Sequence, residues 1–173
     1  MKLLDARKSV LLQTGTYPAC VQQATVAPGK KDPSSFNINI TLGVITDTGR
    51  TVKVWDLLPD LDKNPAVFFR YEQYIQALGL ELDPDFELNS RSFAALLNSN
   101  TADKWIQINL TVNDGGGTYP PKNEVKKIEE LEYDLVQLLK AERANTDTDA
   151  PAQPSIHSSI GAQSPDDEDP QAI

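Results

Sequence analysis

The chain has 173 residues, 39% of them apolar, a formal net charge of −9, one cysteine and one histidine. That length suits one domain of roughly 100–150 residues with an appendage. A single Cys20 and a single His157 exclude a disulfide-stapled scaffold and a Cys/His zinc centre.

No apolar run approaches the ~20 residues of a membrane span. Asp5, Arg7 and Lys8 interrupt the opening residues before a signal-peptide core can form. The expectation is a soluble, cytoplasmic protein without a membrane partner. The charge is unevenly spread: residues 141–173 carry seven acids and one base, whereas residues 1–127 carry fourteen of each. A basic surface on the domain must therefore come from local clustering rather than bulk excess.

Residues 1–15 form a mixed lead-in whose Leu3, Leu4, Val10, Leu11 and Leu12 suit a short helix or an edge strand. A first strand is predicted over 16–26, with Tyr17, Ala19 and Val21 alternating against Pro18, Cys20 and Gln22. Cys20 is expected to be a small buried apolar residue. A breaker-rich loop over 27–35 follows, with Lys30 and Lys31 at its tip.

Residues 36–58 are the clearest stretch. Phe36, Ile38, Ile40, Leu42 and Val44 point one way, and Asn37, Asn39 and Thr41 the other. A turn at 47–50 with Gly49 returns the chain into a strand where Val52 and Val54 alternate with Thr51, Lys53 and Trp55.

Asn64 and Pro65 read as N-cap and first residue of a helix carrying Val67, Phe68, Tyr71, Ile75 and Leu78, ended by Gly79. A second, shorter helix from Ser90 would carry Phe93, Ala94, Leu96 and Leu97. A strand over 104–113 turns Ile106, Ile108, Leu110 and Val112 inward. A glycine turn at 115–117 leads to a last strand over 123–128. A helix from 129 to about 143 carries Ile128, Leu131, Leu135 and Leu138 on one stripe.

The predicted fold is mainly β with helices: a five-stranded OB-like barrel, a helix between strands three and four, a C-terminal helix and a disordered acidic tail. The same turn spacing also allows another small β-barrel or an α+β sheet. Residues 1–143 would be the domain and residues 144–173 the tail, too poor in apolar residues to offset its ordering entropy.

Catalytic chemistry finds little support. His157 lies in the predicted tail, where no packing would tune it. The run Asp60, Asp62, Asn64 begins like a calcium loop, but Pro65 stands where glycine is needed and Tyr71 where an acid is needed. Neither an enzymatic activity nor a metal or other cofactor is expected.

Binding is better represented. Oligonucleotide-binding OB-folds use strands two and three with the loops joining strands one to two and four to five. On this chain that surface holds Lys30, Lys31, Asn37, Asn39, Arg50, Lys53, Trp55, Tyr119 and Lys122, with Lys126 on the final strand. Cations beside aromatic rings suit sequence-tolerant single-strand binding. Each residue also has a plainer reading: Trp55 and Trp105 as core or barrel-end residues, the lysines as solubilising, Tyr119 as a turn anchor. The tail cluster Asp166, Asp167, Glu168, Asp169, with Ile173 at the end, would mimic nucleic acid, hook a basic partner, or simply solubilise.

The segment Gly15-Thr16-Tyr17, the alternating strand at 36–46, the run from Gly49 to Trp55, the helix end Ala77-Leu78-Gly79-Leu80 and Asn123-Glu124-Val125 together resemble a family of bacteriophage early proteins. Members are regarded as OB-fold single-stranded DNA-binding proteins. The resemblance covers residues 10–128. It implies coating of single-stranded DNA in replication or recombination. The barrel-plus-acidic-tail layout also resembles bacterial and phage single-strand binders generally, whose tails recruit replication and repair proteins. This tail ends in Gln171-Ala172-Ile173 rather than in an aromatic residue. The rival expectations are a protein-interaction adaptor and a virion component; a homo-oligomer is open in every case.

Overall fold

The computed structural model describes residues 11–99 and 104–132, with Asp134 and Gln137. Strict alternation builds the centre. In β2 (Phe36–Ile45) Ile38, Ile40, Leu42 and Val44 have no exposed surface, while Asn39 is exposed. Each such burial stabilises by ~1.5–3 kcal/mol before entropy is charged. The hairpin to β3 (Thr51–Leu58) closes through Thr46 N–H to the Arg50 carbonyl and Gly49 N–H to the Thr46 carbonyl, each 2.9 Å, with Gly49 at φ 74°. A left-handed backbone there favours glycine.

β1 (Gly15–Pro28) pairs with β2 on one side and β4 (Trp105–Asn113) on the other, and β4 pairs with β5 (Lys122–Glu130). All pairings are antiparallel, in the order β3-β2-β1-β4-β5. A bulge between Val21 and Gln23 slips the inward set of β1 by one, so Ala24 rather than Gln23 is buried. The expected barrel closure is not seen: among the described residues no strand pairing joins β3 to β5, and both remain sheet edges.

Both helices expected between β3 and β4 are present, where the five-stranded-barrel layout has one. A 3-10 turn at Pro65–Val67 runs into α1 (Phe68–Ala77), and Asn64 makes no side-chain cap. Tyr71, Tyr74 and Ala77 face the core; Phe68 of the expected stripe lies about 120° round the same helix from Tyr74, at 3.6 residues per turn, and is exposed. Gly79, at φ 60°, ends the helix as expected, in a Schellman cap: Leu80 N–H reaches the Ile75 carbonyl and Gly79 N–H the Gln76 carbonyl.

α2 (Ser90–Ser99) is capped by Asn89, whose side chain accepts from Ser92 N–H while Ser92 Oγ accepts from Asn89 N–H. Its Phe93 stacks at a tilt on Tyr71, ring centres 4.9 Å apart. Further along, the Asn98 amide bonds both the Ala24 N–H and its carbonyl at 2.8 Å, serving as a one-residue strand beside the bulge. Asn98→Ala removes both partners, and we expect a loss of about 2 kcal/mol, one to two buried polar groups left without a partner, in urea unfolding.

Three further expectations are corrected. Val112 is exposed because the β1–β4 pairing stops at Gly15–Leu110, leaving the end of β4 beyond the core. The final helix does not begin at Glu129: β5 runs through Glu130, which pairs with Ile106. Cys20 is half-buried. Most of the predicted helix and all of residues 144–173, including Asp166, Asp167, Glu168, Asp169 and Ile173, lie outside the described residues.

Where a closed barrel would have a β3–β5 ladder, α1 supplies a side chain. Arg70 pairs with Asp56 of β3 at 2.7 Å and reaches the Val125 and Lys126 carbonyls of β5 at 3.4 and 3.3 Å. Asp56 also accepts from the Tyr74 hydroxyl at 2.8 Å and from Leu57 N–H at 3.0 Å. Burial pushes the Asp56 carboxyl above its usual range, against the pull of Arg70 and these donors.

Candidate nucleic-acid interface

The β2–β3 register sets the outer face. Asn39 lies opposite Leu57, Thr41 opposite Trp55 and Gly43 opposite Lys53. Because side chains alternate, Lys53, Trp55 and Leu57 project on the same side as the asparagines. Trp55 is 58% exposed, so the core role open to it in the sequence is not the one it takes; Trp105 is half-buried.

The β1–β2 loop is built to hold its lysines out. Gly29 N–H donates to the Ser35 carbonyl at 2.9 Å and Ser35 N–H to the Asp32 carbonyl at 3.1 Å. Any Cβ at position 29 would strike Ser35 Oγ and the Asp32 carbonyl, so glycine is required there. The loop is anchored to the end of β3: Asp60 accepts from Phe36 N–H at 2.7 Å, and its own N–H donates to the Asn37 side chain at 3.0 Å. The half-matched calcium motif is thus a clamp. Among the described residues no group of three or more His, Cys, Asp or Glu is arranged to hold a metal ion.

An open groove of about 890 Å³ joins these parts to the start of β5. Seven of the ten expected residues line it: Lys30, Lys31, Asn37, Asn39, Lys53, Trp55 and Lys122. The other three do not. Arg50 sits in the β2–β3 turn, where its backbone bonds Thr46. Tyr119 is 74% exposed but outside the groove, and Lys126 is engaged by Glu124 at 2.7 Å.

Sequence reading missed Leu57, Leu11, Asn123 and three carboxylates on the same walls, Asp32, Asp56 and Glu124. Leu57 was recoverable: in β3 two leucines end an alternating strand, so one must face out. The acids matter for the sign of the groove. Arg70 neutralises Asp56 and Lys126 neutralises Glu124. Asp32 accepts from the Ser34 hydroxyl and N–H, which hold its carboxyl below the usual range. Four lysines then outweigh the remaining acid on a wall that also carries an exposed indole.

Glu124 is held below the ordinary glutamate range by Lys126 first and Asn113 second. A depressed carboxyl contributes stability above its unfolded value and loses it as pH falls through the folded one. In a carboxyl NMR titration Glu124 should titrate low, and Lys126→Ala should return it towards the ordinary range. An unchanged midpoint would dissociate the two residues.

Among the described residues no helix is long and apolar enough to cross a membrane. No model of a known protein family matches this chain, and no curated protein is significantly similar to it.

Proposed function

We propose that this protein binds single-stranded DNA along the groove between the β1–β2 loop, the β2–β3 face and the start of β5, as an OB-like, non-enzymatic binder of the phage type. The observation that carries the reading is convergence: Lys30 and Lys31, Lys53, and Lys122, from three separate segments of the chain, share one groove with exposed Trp55. Lysines supply sequence-independent attraction to phosphate, and an indole supplies a face for any base. Opening a five-stranded barrel between its third and fifth strands gives the strand order observed, which supports the OB-like assignment. On this reading the acidic tail regulates access or recruits replication and recombination proteins.

The test is a fluorescence-anisotropy titration of labelled oligo-dT with the full chain at several salt concentrations. Four phosphate contacts predict a slope of log affinity against log salt of about −3, at ~0.7 per contact for single strands. Oligo-rU and duplex competitors separate DNA from RNA and single from double strands. Absence of binding by folded protein would overturn the reading.

A second reading, a protein-interaction adaptor, is favoured by the exposed Leu57, Phe68 and Phe69. It becomes the better one if the titration fails.

A further inference from the structure

Trp55 and Leu57 are both more than half exposed, and both line the groove from the outer face of β3. Adjacent apolar side chains left in water gain by being covered. One residue separates them, so a rise of ~3.2–3.4 Å per residue sets the two side chains about 6.6 Å apart. Carbon layers in contact lie ~3.5–4.0 Å apart, so a flat ring between two apolar walls needs about 7 Å. The two lengths match within the splay that strand twist allows.

The register decides which side of Trp55 is open. Towards Lys53 the facing residue on β2 is Gly43, and the Gln22 amide lies over it, where a Cβ would stand. Towards Leu57 the facing residue is Asn39, exposed and on the groove wall. Opposed and diagonal residues of paired strands are within side-chain reach, which puts Asn39 beside the slot between Trp55 and Leu57. Its neighbour Asn37 is committed elsewhere, accepting from Asp60 N–H. An amide carries a donor beside an acceptor. So does the Watson–Crick edge of each of the four bases, and that edge is free only in an unpaired base.

We propose that Trp55 and Leu57 grip one nucleobase between them, with Asn39 at its Watson–Crick edge, and that this slot makes the groove select unpaired strands over duplex. The inference rests on the single-strand-binding reading and names the residues that give it specificity. Phosphate attraction to Lys30, Lys31 and Lys53 on the same groove draws in both forms of DNA. A duplex base is stacked on its neighbours and bonded to its partner, so it enters the slot only by leaving the helix. The amide suits every base, so the selection is for strandedness rather than sequence.

The experiment compares wild type, Leu57→Ala and Asn39→Ala on three labelled ligands of equal length: oligo-dT, an abasic oligomer and a duplex. Thermal melts check that each protein is folded. Wild type should bind oligo-dT more tightly than either other ligand. Leu57→Ala should weaken oligo-dT binding by about five- to tenfold, the loss of most of a leucine contact, with the salt slope kept. Its binding to the abasic oligomer and the duplex should match wild type, so the preference for single strands falls by the same factor. Asn39→Ala should show this pattern with a smaller loss, about threefold for one net hydrogen bond. If Asn39→Ala matches wild type on all three ligands, the edge contact is overturned. An equal loss by Leu57→Ala on all three ligands overturns the slot, because Leu57 would then act without a base. Unchanged oligo-dT binding by folded Leu57→Ala overturns it too, and either result leaves the lysine groove standing. No binding of any ligand by wild type overturns the single-strand reading and the slot with it.

Discussion

Lys53→Ala/Trp55→Ala should weaken binding to oligo-dT by on the order of a hundredfold, combining ~1–3 kcal/mol for a stacked base with one phosphate contact. The melting temperature should barely move. Both side chains project from the outer face of β3, and Trp55 is mostly exposed. Surface replacements of this kind usually change stability by no more than about 0.5 kcal/mol.

The single variants separate the two physical contributions. Lys53→Ala should make the salt slope shallower by about 0.7, because one counterion-releasing contact is gone. Trp55→Ala should lower affinity with the slope unchanged, and Trp55→Phe should recover much of it, since a smaller ring still stacks. Affinity retained by the folded double variant would remove the β3 face from the interface.

The largest stability effect is expected at Asp56, buried beneath the same groove. Asp56→Leu leaves Arg70 with its charge, because a guanidinium does not deprotonate, and should cost about 3–5 kcal/mol in urea unfolding. Arg70→Met should cost less, because Asp56 can escape by taking up a proton. The paired change Asp56→Leu/Arg70→Met should recover most of the loss. A strictly additive double variant would show that the two residues do not act as a pair.

Asp56 also sets a pH dependence with a definite sign. Burial raises its carboxyl above the ordinary range, so the folded state holds the proton more tightly than the unfolded chain does. Its stabilising contribution is then greatest below the unfolded value and fades as pH rises through the folded one. Measured against Asp56→Asn, wild type should lose ground as pH rises through the acidic range. The opposite trend would mean that Arg70 and Tyr74 outweigh desolvation.

Much of the secondary structure is legible locally. The alternation in 36–45 and 105–110 marks strands because period-2 burial is written into neighbouring residues. Gly79 marks a helix end because only its own backbone conformation is at stake. Phe68 and Val112 show where this logic stops. The first is exposed because the buried stripe of α1 is centred on Tyr71, Tyr74 and Ala77, off its side of the helix, the second because β4 outruns its partner β1.

The groove belongs to the tertiary level. Period-2 patterning tells which residues share a face, but whether Trp55 meets solvent depends on what packs across the sheet. Asp56 reads as an ordinary polar residue until Arg70 and Tyr74, a helix away, close around it. The closure expected of a five-stranded barrel is likewise decided at a distance: at the β3–β5 seam a guanidinium stands where backbone pairing would run. Lys30 and Lys122 lie some ninety positions apart in the chain. They share a wall because the sheet curls until β3 and β5 face each other across the seam that Arg70 bridges, while Asp60 ties the β1–β2 loop to the end of β3. Charge at a site is a sum over space, and only the fold determines which residues enter that sum.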